Sequence, residues 1–191
     1  MSEILFINAC VRENSRTLSL ARTVLDQLGG EVEEVKLYEL GLAPLDNEGM
    51  AARAAAFDAK DFSDGCFALA RQFAEARTVV VAAPYWDMMF PAVLKTYFEN
   101  VTVNGLAFVY SDKGYPVGLC KAEKMIYVTT AGGPIVKSFG FDYAEALAKT
   151  FYGIKDVRRV SAECLDIHGS DADAILKKAK DSVAGIIGKA E

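Results

Sequence analysis

Three short stretches carry residue types from which a ligand site is built. The first is Asn14-Ser15-Arg16-Thr17, with hydroxyls and a guanidinium at the point where a helically spaced apolar run begins. Unpaired backbone N–H groups, the helix dipole and charge-assisted donors there would all favour an anion such as a phosphate. The second is Pro84-Tyr85-Trp86-Asp87-Met88-Met89-Phe90, a loop rich in soft and aromatic side chains and suited to a flat aromatic guest. In the third, Thr130-Ala131-Gly132-Gly133, two glycines add no side chains, so backbone can approach a ligand closely. Each stretch also has a plainer reading: a helix cap with Arg16 in solvent, an aromatic cover over a sheet or dimer interface, and an ordinary turn. A different chemistry overlaps the first stretch. Cys10 to Thr17 matches C-x5-R-[ST], the spacing at which a low-pKa cysteine attacks a phosphate held by arginine. Against it, the five intervening residues contain no glycine, and no Asp-Pro dipeptide exists to supply a general-acid loop.

The elements that must position these stretches follow from periodicity. Thr78 to Val81 is an uninterrupted β-branched run, as expected of a strand buried on both faces, and Pro84 ends it. Pro91 then opens a helix over Ala92 to Phe98. Glu3 to Asn8 reads as a first strand, and Leu18, Leu20, Ala21, Val24, Leu25 and Leu28 place a helix before Gly29-Gly30. Val32, Val35 and Leu37 alternate with charge, as at a sheet edge. A short alanine-rich helix is expected over Met50–Phe57 and a longer one over Phe62–Ala76. Leu106–Tyr110 and Val117–Cys120 flank a turn and predict a hairpin excursion. Met125–Thr130 and Val157–Glu163 are the remaining strands; Tyr143–Tyr152 and Asp171–Ile187 are the remaining helices. Strands alternating with helices imply an α/β domain with a doubly wound parallel sheet, whose ligands bind beyond the carboxyl ends of its strands. No repeat or linker divides residues 1–191, so a single domain is expected.

Ala82 to Glu99, running through Pro84-Tyr85-Trp86-Asp87-Met88 to Tyr97-Phe98, resembles the segment by which FMN-dependent NADH-azoreductases and NAD(P)H:quinone reductases enclose the flavin ring. The resemblance runs through nearly the whole chain. It implies a flavodoxin-like fold of five parallel strands in the order 2-1-3-4-5, with helices on both faces. It implies FMN as cofactor, NADH or NADPH as electron donor, and a quinone, azo compound or similar small molecule as acceptor, reduced by two electrons in a ping-pong sequence. Carried over residue by residue, Ser15, Arg16 and Thr17 match the phosphate loop. Pro84, Tyr85, Trp86, Asp87 and Met88 match the ring loop, and Thr130, Gly132 and Gly133 match the family's Ser/Thr-x-Gly-Gly. The chain departs at Ala9, where a phosphate-binding serine is frequent, at Asp87, where asparagine is frequent, and at Ala131, where arginine is frequent. No acid–base residue is required, because the flavin carries the chemistry; His168 is a weak candidate for substrate contact. Family members are typically homodimers, and the Leu106–Cys120 excursion and the Met50–Phe57 segment are the candidate contacts. The rivals are a low-molecular-weight phosphatase using Cys10 and Arg16, and a flavodoxin-type electron carrier with no substrate of its own.

Composition is consistent with that resemblance and excludes other classes. Hydrophobic residues at 52% and charged residues at 25% describe a globular chain, and 191 residues suffice for a core without staples. A net charge of −5 with no basic stripe argues against nucleic acid as the main partner. The N-terminus runs straight into a strand and no apolar run reaches membrane-span length, so a cytoplasmic protein is expected. Four dispersed cysteines and one histidine form neither a disulfide frame nor a metal cluster.

Overall fold

The apolar runs become the centre of a parallel sheet. In the computed structural model, which describes residues 3–188, β1 (Ile4–Asn8), β3 (Thr78–Ala82) and β6 (Lys124–Thr130) lie side by side. The flanking strands are β2 (Val32–Lys36) and β7 (Asp156–Ala162), and the order is β2-β1-β3-β6-β7, parallel throughout. This is the expected 2-1-3-4-5 order with the hairpin strands left out of the count. Ile4 registers with Thr78, and Thr78 with Lys124, so the three central strands start level, and β6 runs two residues, Thr129 and Thr130, past the ends of β1 and β3 at Asn8 and Ala82.

The pleat sorts their side chains into two cores. Leu5, Ile7, Val79, Val81, Met125 and Tyr127 face one side, against α3 (Ala68–Glu75), α4 (Ala92–Val101) and α5 (Phe139–Leu147) through Phe73, Leu94, Tyr97, Phe98 and Ala144. Ile4, Phe6, Val80, Ala82, Ile126 and Val128 face the other, against α1 (Arg16–Leu28) and α6 (Ala172–Ile187) through Leu20, Ala21, Val24, Ala179 and Val183. Each fully buried side chain of this kind contributes about 1.5–3 kcal/mol relative to exposure. The strand is buried on both faces, which is why its sequence shows no alternation.

Three elements differ from expectation in detail. The helix expected over Phe62–Ala76 begins as a 3₁₀ turn at Gly65–Phe67 and becomes α3 only at Ala68, because the Asp64 carboxylate accepts from the Cys66 N–H at 2.8 Å and starts a new cap there. The helix expected from Tyr143 starts earlier, at Phe139, and its end over Ala148–Tyr152 widens into a π-turn closed by Gly153 at φ +79°. The short alanine-rich helix is α2 (Asn47–Asp58); it buries no residue and is tied down by Arg53, which donates to the Glu99 and Asn100 carbonyls at the end of α4.

The excursion is a two-stranded antiparallel ribbon, β4 (Phe108–Tyr110) and β5 (Pro116–Gly118), separate from the main sheet. It lies backbone to backbone on the π-turn: a Cβ at Gly118 would stand 2.2 Å from the Gly153 nitrogen. Among the described residues no helix is long and apolar enough to cross a membrane.

Candidate functional site

The neighbouring carboxyl ends of β1, β3 and β6 deliver three loops to one cavity of about 400 Å³. That volume lies in the usual range for small-molecule sites. Ser15, Arg16 and Thr17 line it from the first loop, Pro84, Tyr85 and Trp86 from the second, and Thr130 and Gly132 from the third. Asp87, Met88 and Gly133 do not line it, and His168 lies exposed outside it in the loop after β7.

The first loop is built as an anion seat. Ser15 is the N-cap of α1, and its Oγ accepts from the Leu18 N–H at 3.3 Å. The N–H groups of Arg16 and Thr17, in the first turn, have no intrahelical acceptor. Thr17 is almost wholly buried and its hydroxyl pairs with that of Thr130 at 2.6 Å, so the first and third loops are stitched together at the cavity wall. One hydroxyl donates to the other, leaving a single O–H of the pair for a ligand.

The second loop presents Trp86 at 40% exposure on a tight two-residue turn. Trp86 and Met89 exchange both backbone hydrogen bonds, at 3.0 and 2.8 Å, and Asp87 and Met88 between them take φ of +50° and +66°. Turns of this hand favour Asn-Gly; a methionine there stores strain of order 1–3 kcal/mol. Asp87 and Met88 therefore serve the site by carrying Trp86, not by contact. Tyr85 joins the second loop to the third: its N–H donates to the Thr130 carbonyl at 3.1 Å, and its hydroxyl donates to the Lys137 carbonyl at 3.0 Å.

The third loop is braced by the segment that follows β7, from which sequence reasoning drew only His168 as a weak candidate. Cys164 turns at φ +63°, and the N–H groups of Cys164, Leu165 and Asp166 donate in turn to the carbonyls of Gly133, Ala131 and Gly132. Leu165 and Asp166 thereby enter the cavity wall, as do Val11, Arg12 and Asn14 from the first loop. Asp166 pairs with Arg16 at 2.8 Å. Its only signal in the sequence is its place just beyond a strand end.

The cysteine chemistry has no geometry to support it. Cys10 does not line the cavity; burial, as the largest cause, pushes its thiol pKa up, and the thiol donates weakly to the Ala82 carbonyl at 3.9 Å. A phosphatase nucleophile needs the opposite shift. Ala9 is fully buried among Leu5, Ile7 and Val81, with its methyl in the core and away from the cavity.

With this geometry in view, comparison with known proteins is informative. The profile of a family described as flavodoxin-like fold matches residues 2–186. A Lachnoclostridium phytofermentans protein named FMN-dependent NADH:quinone oxidoreductase is 31% identical over 199 residues, covering 99% of each chain. A Clostridium beijerinckii protein of the same name is 31% identical over 191 residues, covering 95% of this chain and 96% of its own. Among solved structures, an azoreductase from Bacillus anthracis superposes with a TM-score of 0.82 at 24% identity, over 97% of this chain and 98% of that one. An FMN-dependent NADH-azoreductase from the same species, in complex with FMN, gives 0.80 at 20% identity over 97% of both chains. At those identities the structural likeness concerns the fold.

Proposed function

Because the chain belongs to the flavodoxin-like fold family, we propose that it is an FMN-dependent NAD(P)H oxidoreductase that reduces quinones, azo compounds or similar acceptors. The observation that carries this reading is the convergence of an anion seat, an exposed indole and a glycine edge on one cavity. The residues fit FMN. Arg12, Arg16 and the free N–H groups of the first turn of α1 suit its phosphate, and the 40% exposed Trp86 suits a flat ring. Gly132 lines the cavity without a side chain, so backbone can approach a ring edge there.

When bound, FMN supplies the two-electron chemistry, accepting hydride from NADH or NADPH and yielding both electrons to the acceptor. The protein binds and orients. Ser15, Arg16 and Thr17 hold the phosphate. Pro84, Tyr85 and Trp86 flank the ring, while Asp87 and Met88 hold the turn that aims Trp86. Thr130 and Gly132 would offer the third edge, and Gly133 would brace it through its carbonyl, which accepts from the Cys164 N–H. Donor and acceptor would use the same cavity in succession, in a ping-pong sequence. His168 stands outside the cavity and has no part in this reading.

The chain acts as a single FMN-binding unit over residues 1–191, in the cytoplasm, as a homodimer. Two exposed apolar surfaces suit the contact: Tyr110, Tyr115, Val117 and Leu119 on the β4–β5 ribbon, and Met50 and Phe57 on α2. The test is an absorbance spectrum after incubation with FMN and desalting, then anaerobic NADH. A retained flavin band that NADH bleaches is the expected result; no retained flavin overturns the reading.

A further inference from the structure

Resting on the flavin reading, we infer that Asp166 competes with the cofactor phosphate for Arg16, and so sets how selectively the cavity holds a phosphorylated flavin. Arg16 sits in the first turn of α1 and Asp166 in the loop after β7, yet Nη1 and Oδ1 meet at 2.8 Å across 150 residues of sequence. Both side chains line the cavity. The Arg16 guanidinium is therefore already engaged at the place where a phosphate would need it.

Asp166 is fixed there by more than Arg16. Its N–H donates to the Gly132 carbonyl at 2.8 Å, which sets its backbone against the glycine loop. Its carboxylate folds over Gly132 so closely that a Cβ there would stand 2.6 Å from Oδ2 and 3.3 Å from Cγ. Gly132 thus makes room for this carboxylate as well as for a ligand edge. When a phosphate takes Arg16, the Asp166 backbone stays where the ladder holds it, and its carboxylate loses the guanidinium.

The pair itself is weak enough to be exchanged. The two side chains are 43% and 65% exposed, and such ion pairs contribute little. A guanidinium presents five N–H groups in a planar fork, and a phosphate with several charged oxygens, aided by the α1 dipole, is the stronger acceptor. The exchange nevertheless costs binding free energy, and only a ligand that carries the phosphate bears that cost. An uncharged flavin reaches the same ring loops without disturbing the pair.

The experiment measures dissociation constants for FMN and riboflavin by quenching of flavin fluorescence. It uses the wild-type chain, Asp166→Asn, Arg16→Met and the double variant. Asp166→Asn keeps the backbone ladder and the side-chain shape while removing the charge. Competition predicts FMN binding about three- to fivefold tighter in Asp166→Asn and riboflavin binding unchanged. Arg16→Met weakens FMN alone, and in its background most of the Asp166→Asn gain disappears. Weaker or unchanged FMN binding in Asp166→Asn overturns the inference, as do equal shifts for both flavins and a gain that persists without Arg16. Should the wild-type chain bind neither flavin, the flavin reading fails by itself. Competition is then read from inorganic phosphate: a larger phosphate-induced rise in Tm in Asp166→Asn upholds it, and an equal rise ends it.

Discussion

Replacing Gly118 by alanine tests how the β4–β5 ribbon is held. Gly118 has an ordinary backbone conformation, whereas its neighbour across the contact, Gly153, has φ +79°. Conformation alone would make Gly153 the sensitive position, since an L-residue in the left-handed region costs about 1–2 kcal/mol. The contact geometry says otherwise. An added Cβ at Gly153 meets Gly118 atoms at 3.4 and 3.6 Å, which is ordinary packing. At Gly118 it meets the Gly153 nitrogen at 2.2 Å, the Tyr152 carbonyl carbon at 2.3 Å and its oxygen at 2.5 Å. These are backbone atoms of the π-turn and cannot rotate aside, so the ribbon must retreat by roughly 1 Å and lose its dispersion contacts. Overpacking of this kind costs up to about 3 kcal/mol. For a chain of this size that lowers Tm by about 6–12 °C, against about 2–8 °C for Gly153→Ala. Thermal and urea unfolding followed by circular dichroism compares the two variants, and FMN affinity serves as a control because the ribbon does not line the cavity. A Gly118→Ala variant no less stable than Gly153→Ala refutes the reasoning.

Asp156 accepts from Arg158 at 2.7 and 3.0 Å, and these bonds, with Lys124 nearby, hold its carboxyl below the ordinary 3.8. That stabilisation is present above pH 3.8 and is lost as pH falls through the depressed folded value. Asp156→Asn therefore loses about 0.5 kcal/mol at pH 7, discounted for its 36% exposure; a gap in urea midpoints that fails to close towards pH 2 contradicts the assignment. Burial pushes the Cys120 thiol up to about 12. At pH 8 only about one thiol in 10⁴ is then ionised, so iodoacetamide should modify Cys120 after unfolding and leave it intact in the native chain, as read by mass spectrometry. Asp87 stands in the turn that presents Trp86, and on the proposed reading its carboxylate would oppose electron gain by a bound flavin. Asp87→Asn is expected to raise the flavin midpoint potential by about 10–20 mV, taking about 0.5–1 kcal/mol for an exposed charge and a two-electron couple; an unchanged or lower potential removes Asp87 from that role.

The strands and the sheet order were legible because a doubly buried strand needs a continuous apolar run, and Thr78 to Val81 has no other use. The start of α5 was not. Phe139-Gly140-Phe141 reads as a helix-breaking stretch, yet Gly140 belongs to the first turn because a Cβ would reach the Tyr127 hydroxyl at 2.9 Å, a constraint from another element. The turn at Asp87-Met88 escaped for a related reason. Its sequence lacks the usual Asn-Gly, and the paired bonds between Trp86 and Met89 impose the left-handed conformation. Loops that follow the central strands could be placed at the cavity from strand order alone. Asp166 could not, since it follows the outer strand β7 and is brought to the site by the bonds that the Leu165 and Asp166 N–H groups make to the Ala131 and Gly132 carbonyls.

Most of the cavity wall comes from loops rooted in β1, β3 and β6, three strands far apart in sequence, with β3 bonded directly to the other two. The cavity accordingly ceases to exist when that trio separates. Any ligand seated across it is linked to the global unfolding equilibrium and adds RT ln(1 + [L]/Kd) to the stability of the sheet as a whole. α2, which buries no residue, stands outside this linkage. Saturating ligand should therefore slow hydrogen exchange in β1, β3 and β6 while exchange in α2 continues at its own rate.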